Sequence, residues 1–264
     1  DRFKRHERLD ERKKVYKSKI FEPRRTLTST YFSGHSIILG VEHTSDELTS
    51  DRFVNRKMTT RALHETEYFL QDEWTANKHW MLSTGVRTNF SKAFGFMYMP
   101  KIAVKYSPDE HWAIRANYSM GYRAPSIKEL FFNWDHLGMF QIRGSEDLKP
   151  EKNHYFSLGA EYTHNGFFMN VNAYINKFRN KIEGVWHIYD MQYNFEYTNL
   201  SSQRLYGIEA ILKWHFLDHF TLNGTYSYVN VSKQDGIQVN TTSPHAATAS
   251  IDYVYNKPNY RLKT

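Results

Sequence analysis

Residues 122–149, YRAPSIKELFFNWDHLGMFQIRGSEDLK, hold the side chains best placed for chemistry. One histidine, His136, sits there among Leu130, Phe131, Phe132, Trp134, Leu137, Met139, Phe140 and Ile142. An imidazole can serve as acid, base or metal ligand near neutral pH. Its plainest reading is an ordinary loop histidine, one of 13 in the chain. Signatures of covalent catalysis are missing. Gly34-His35-Ser36-Ile37-Ile38 falls short of the nucleophile-elbow pattern because Ile38 stands at the final glycine. No H-E-x-x-H, phosphate-binding loop or dinucleotide fingerprint occurs, so an enzyme is not expected. The chain has no cysteine, which excludes disulfide scaffolds, Cys-ligated zinc and iron–sulfur clusters.

The elements that must position this stretch follow a period of two. In GFFMNVNAYINKF, Phe167, Met169, Val171, Ala173 and Ile175 share one face, with Asn170, Asn172 and Asn176 on the other. Trp112, Ile114, Ala116, Tyr118 and Met120 alternate with Arg115, Asn117 and Ser119. Ile208, Ala210, Leu212, Trp214 and Phe216 alternate with Glu209, Lys213 and His215. These are half-buried strands with a wet second face.

Turn signals add a second regularity. Short ones occur at Ser33-Gly34, Asn77-Lys78, Pro108-Asp109, Asn165-Gly166, Leu217-Asp218 and Lys257-Pro258. Between them lie longer connections, residues 42–60, 89–96, 121–150, 177–204 and 229–243. Short and long connections at opposite ends of an up-and-down meander are the arrangement of an outer-membrane barrel. Trp74, Trp80, Trp112, Trp214, Phe216 and Phe220 flank the short turns, as an interfacial aromatic girdle would. The sequence therefore predicts an all-β fold, a transmembrane antiparallel up-and-down β-barrel of about a dozen strands. Aromatic residues make up 16% of the chain, with 19 Tyr and 18 Phe, and no apolar run is long enough for a membrane helix. A barrel gives that combination, because every second residue faces lipid. The alternative from another class is a soluble carbohydrate-binding β-protein with aromatic loops.

Charge is less informative. The formal net charge is +7, and residues 1–17 carry eight Lys/Arg against four Asp/Glu. Acids interrupt that run, so a solvated strand end is favoured over a nucleic-acid arm, and no nucleic-acid partner is expected. The opening DRFKRHERLD lacks the apolar core of a signal peptide. Residues 1–264 are read as part of one barrel domain whose final strand has no partner yet.

Several short motifs resemble the TonB-dependent outer-membrane receptors of Gram-negative bacteria. Tyr122-Arg123-Ala124-Pro125-Ser126 with Lys128-Glu129-Leu130 resembles the family's FRAP box. Asp147-Leu148-Lys149-Pro150-Glu151 resembles its NPDLKPE box. Phe69–Trp74, Pro100-Lys101-Ile102, and Tyr197-Thr198-Asn199-Leu200 followed by Tyr206-Gly207-Ile208-Glu209 resemble further barrel signatures. The resemblance runs from about Leu63 to Trp214, five motifs in family order. One departure is Ser145-Glu146 before Asp147, where the family has Asn-Pro.

The resemblance implies a barrel of about 22 strands, of which the N-terminal plug and the C-terminal strands lie outside this chain. It implies active uptake of a scarce metal-containing nutrient across the outer membrane, driven by the TonB complex acting through the plug. Haem or iron is the first expectation, with cobalamin or an iron–siderophore as alternatives, and the ligand could arrive on a carrier protein. No cofactor is required, since haem would be a transported ligand. Haem receptors of the family place a histidine between the two boxes. By that likeness His136 would ligate haem iron, with Trp134 and Phe140 beside the ring. Arg123, Asp147 and Glu151 would pin the loop ends by charge-assisted hydrogen bonds.

Overall fold

Alternation at period two is realised as long, twisted strands with few helical residues. In a computed structural model, residues 4–7, 11–14, 16–53, 57–136, 138–189, 192–232, 243–257 and 260–263 are described. For residues 4–7, 11–14, 136, 189, 192, 256, 257 and 260–263 the description is of the backbone alone. A separate hairpin joins β1 (Lys4–Glu7) to β2 (Glu11–Lys14). The sheet then runs through β3 (Tyr16–Phe21), β4 (Arg24–Ser29), β5 (His35–Ser50), β6 (Thr59–Thr75), β7 (Trp80–Ser91), β8 (Gly95–Tyr106) and β9 (Trp112–Arg123). After β9 come a short helix α1 (Ile127–Phe131), β10 (Asn133–His136) and β11 (Phe140–Arg143). The wall resumes with β12 (Glu151–His164), β13 (Phe167–Tyr189), β14 (Gln192–Leu217), β15 (Phe220–Val231), β16 (His245–Lys257) and β17 (Tyr260–Lys263).

Successive wall strands are antiparallel neighbours, from β3 and β4 at one edge to β17 at the other, and the sheet is open among the described residues. β3 and β4 pair with β5 in one continuous register and are a single strand broken at Glu22-Pro23. Pro23 has no N–H for the ladder, but its carbonyl still accepts from the His43 N–H at 3.0 Å.

The two ends differ as the turn signals predict, with corrections. Short connections at one end span residues 30–34, 76–79, 107–111, 165–166 and 218–219. At the other end residues 51–58, 124–150 and 232–244 separate strands. Two expected long loops are not loops. Residues 89–96 reduce to a tight turn at 92–94, closed by Gly95 at φ 76°. Residues 177–204 are mostly ladder: β13 has 23 residues and β14 has 26, with only 190–191 between them. The breaker residues there are absorbed without ending the strands. Asn180 kinks the chain locally at φ 52°. Gly184 leaves room for the Phe195 ring, whose Cζ would stand 2.0 Å from an added Cβ. At ~3.3 Å per residue a 23-residue strand reaches roughly 75 Å, far beyond a ~30 Å hydrocarbon core.

The two faces differ in chemistry. Leu39, Leu70 and Val86 lie in register across β5–β7 and are exposed. Ile114, Leu158, Ile208 and Ile251 continue that exposed apolar band around the sheet. The opposite face carries ion pairs, Arg87–Glu67 at 2.6 Å and Arg115–Glu161 at 3.0 Å, beside Asn117, Asn170, Asn172 and Glu209. At the short-turn rim aromatic rings follow one another: Trp80–Tyr106 at 4.4 Å, Trp112–Tyr162 at 4.8 Å, Phe216–Phe220 at 5.8 Å and Phe220–Tyr253 at 4.9 Å. The wall needs little core of its own. Two small clusters, Leu48 with Phe53 and Ile127, and Leu130 with Leu148 and Ile182, lie at the long-loop end.

Candidate functional site

The stretch between β9 and β12 is a folded cap. Pro125, buried, follows the last ladder residue of β9, and Pro150 precedes the first of β12, as strand stop and restart. Ser126 then caps α1. The Glu129 N–H donates to Ser126 Oγ at 3.3 Å, and the Ser126 N–H donates to Glu129 Oε2 at 2.7 Å. Ile127 and Leu130 turn into the two core clusters.

Arg123 ties the cap to the wall. Its guanidinium donates to both Glu129 oxygens, at 3.1 and 3.0 Å, and to Glu151 Oε2 at 3.3 Å. Glu151 also accepts from the Ile182 N–H at 3.1 Å, which brings in the extended hairpin. Arg123 and Glu151 therefore pin the loop ends. Asp147 does not: it is exposed and forms no hydrogen bond or ion pair among the described residues. Its neighbour Leu148, 5% exposed, anchors that end by packing against Leu130 and Ile182. Ala124 and Tyr122 are half-buried, and the Tyr122 hydroxyl has no partner among the described residues.

Asn199, in the Tyr197–Leu200 motif, closes the arrangement. It accepts from the Lys149 N–H at 2.8 Å and donates to the carbonyls of Lys149 at 2.9 Å and Asn180 at 2.7 Å. Three of the recognised motifs thus meet in space. Tyr197 packs against the same cluster. Burial first, and the Glu129 carboxylate second, push its phenol above the ordinary range.

The outer part of the cap is a hairpin, β10–β11, laid on the extended strand pair. β11 runs parallel to β14, with Phe140 opposite Tyr193 and Ile142 opposite Phe195. Arg143 reaches Glu196 at 3.6 Å. Gly144 leaves space for the Glu129 carbonyl, which would lie 2.7 Å from an added Cβ. A chain of rings results: Trp134–Phe140 at 6.1 Å, Phe140–Trp186 at 5.8 Å, Trp186–Phe195 at 5.0 Å and Phe195–Tyr197 at 5.2 Å. The Arg52 guanidinium sits 4.3 Å above the Trp134 ring. Beside the rings opens a cleft of about 600 Å³ lined by Arg143, His187, Glu196, Thr198 and Asn199, among others.

Trp134 and Phe140, both expected beside the ligand, are ring neighbours on this hairpin. The backbone of His136 ends β10 opposite Phe140, and its side chain lies outside the described residues. Arg52, Arg143, Trp186 and Phe195 were not singled out from the sequence. Arg52 lies in a different connection, Trp186 and Phe195 face each other across the antiparallel β13–β14 hairpin, and Arg143 meets that hairpin through the parallel β11–β14 pairing, which local periodicity does not register.

An up-and-down wall with an outward apolar band, an aromatic rim and a capped opposite end is the architecture of an outer-membrane β-barrel wall. The chain belongs to the family described as TonB dependent receptor-like, beta-barrel, whose pattern matches residues 10–263. It is 26% identical over 235 residues to the iron-regulated outer membrane virulence protein of Vibrio cholerae, covering 84% of this chain and 35% of that protein. It is 24% identical over 197 residues to the ferric enterobactin receptor of Pseudomonas aeruginosa, covering 66% of this chain and 26% of that protein. The crystal structure of the siderophore receptor PirA from Pseudomonas aeruginosa shares the fold, with a TM-score of 0.76 at 16% identity, over 89% of this chain and 46% of that one. The chain thus spans about a third or less of the curated relatives it matches. Its place is the outer membrane of a Gram-negative cell; in barrels of that membrane short turns face the periplasm and longer loops the outside.

Proposed function

We propose that this chain forms wall and extracellular cap of a receptor that takes up a ferric siderophore, energised by the TonB complex through a plug domain. The observation that carries this reading is the cap's ring-and-cation surface: Arg52 over Trp134, then Phe140, Trp186 and Phe195, with Arg143 at the cleft. Stacked rings with guanidinium groups suit a flat, aromatic, anionic iron chelate. The names of the two curated relatives, one iron-regulated and one a ferric enterobactin receptor, support an iron ligand. The work is capture and passage, so no catalytic residue is assigned. A second reading keeps haem as the ligand, because β10 carries His136 to the outer hairpin opposite Phe140.

The test is a binding screen of the full-length receptor with a ferric tris-catecholate, a ferric hydroxamate, haemin and cobalamin. The expected result is tight binding of a ferric siderophore, weakened about tenfold or more by Trp186→Ala. Haemin binding with a Soret shift that His136→Ala abolishes, and no siderophore binding, would establish the haem reading instead.

A further inference from the structure

At the periplasmic rim, far from the cap, two histidines beside neighbouring turns, His111 before β9 and His164 at the end of β12, face each other. His111 Nδ1 and His164 Nδ1 are 3.3 Å apart, with ring centroids at 4.4 Å. Both turns are closed by defined backbone contacts. In the 107–111 turn, Asp109 Oδ1 accepts from the backbone N–H of His111 at 2.8 Å and of Trp112 at 2.9 Å. The other turn is a two-residue hairpin, with Asn165 at φ 46° and Gly166 at φ 76°. The Thr163 N–H donates to the His111 carbonyl at 2.9 Å and ties one turn to the other.

We propose that His111 and His164 form a two-imidazole binding site for a borderline divalent transition-metal ion, such as Cu²⁺, Ni²⁺ or Zn²⁺, on the periplasmic face. Two nitrogens bound at ~2.0–2.1 Å to one tetrahedral ion stand about 3.3 Å apart, the spacing already present here. His111 Nδ1 also lies 3.1 Å from the Thr163 carbonyl, and a proton on that nitrogen would point there. A metal ion on Nδ1 takes the tautomer that carries its proton on Nε2. His111 Nε2 lies 3.8 Å from Glu110 Oε1, beyond hydrogen-bond reach but close enough for a side-chain shift to supply the carboxylate partner common to metal-bound histidines. No three His, Asp or Glu side chains converge as a metal site among the described residues. Water therefore completes the coordination, and the two imidazoles provide the affinity and the choice of a nitrogen-preferring ion over Mg²⁺ or Ca²⁺. The bound ion clips the β8–β9 turn to the β12–β13 turn. The site does not depend on what the cap binds.

The experiment is a Cu²⁺ titration of the full-length receptor in detergent, read by electron paramagnetic resonance, with Zn²⁺ binding followed by calorimetry. The native protein should show a tightest site with two-nitrogen coupling. His111→Ala and His164→Ala should each remove that signal and weaken the tightest site about tenfold or more. His215→Ala, on the same rim but outside the pair, should leave it intact. Folding of each variant is checked by heat-modifiable migration in gels, which a native barrel retains. Folded His111→Ala or His164→Ala protein with an unchanged two-nitrogen signal and affinity overturns the proposal.

Discussion

Arg123 donates to Glu129 and Glu151 at once, and those carboxylates are only 15% and 14% exposed at the side chain. Arg123→Ala would leave two largely buried acids facing each other without a counter-charge. The expected cost is about 1–2 kcal/mol in docking of the cap, reduced from a fully buried pair because Arg123 itself reaches solvent. Faster amide hydrogen exchange in α1 and at residues 147–151 of the full-length receptor would report it, and unchanged exchange would remove Arg123 from that role. Asn199→Ala should loosen the same junction, since one side chain serves both backbone groups of Lys149 and the carbonyl of Asn180. About 1–2 kcal/mol of local protection at Lys149 should go with it. At this scale the sequence was half legible. Arg123 and Glu151 belong to strand ends whose prolines and charges announce them. Asp147 shares the motif but not the contact, because Leu148 turns inward and leaves it in solvent. Asn199 was visible only as part of a motif, since its partners lie 50 and 19 residues away in the chain.

The element that the sequence concealed is the upper half of the β13–β14 hairpin. Period-two alternation marks a strand but does not say where the membrane ends, and Asn180 and Gly184 have the composition of a loop. Only the pairing of Trp186 with Phe195 and Ile188 with Tyr193 shows that the ladder continues. That hairpin supplies the edge on which β11 lies, so the cap depends on it. Replacing residues 183–196 with a short Gly/Ser turn should leave a barrel that still inserts and shows heat-modifiable migration. If the cap binds a ferric siderophore as proposed, the replacement should abolish that binding, because half of the ring surface and the seat of β11 are removed together. Retained binding would place the ligand elsewhere in the receptor. Gly144→Ala probes the same docking more gently. A Cβ there meets the backbone of Glu129 and Leu130 at 2.7 Å, and backbone cannot rotate away. The expected loss of cap stability is about 1–3 kcal/mol, as for other overpacked sites, with ligand release accelerated in stopped-flow fluorescence.

For the molecule as a whole, the two faces of one sheet must meet two solvents. Leu158 is 59% exposed, which in water would be a defect. It lies six residues above His164 at the short turn. At ~3.3 Å per residue and a strand tilt near ~45°, that is about 14 Å, close to the middle of a ~30 Å hydrocarbon core. Ser157 is its neighbour on the inner face, opposite Asn117 and Tyr174. The alternation that was legible from residue types alone therefore makes a sharp comparison at one depth. Leu158→Arg should destabilise the full-length receptor folded in phospholipid vesicles by about 2–4 kcal/mol, the cost of a cation at the bilayer midplane. Ser157→Arg, one residue along and turned to the polar lumen, should cost a fraction of that. Guanidinium titration of both variants in the same vesicles measures the difference. Equal costs would mean that the apolar band does not face lipid, and the barrel's orientation in the membrane would have to be redrawn.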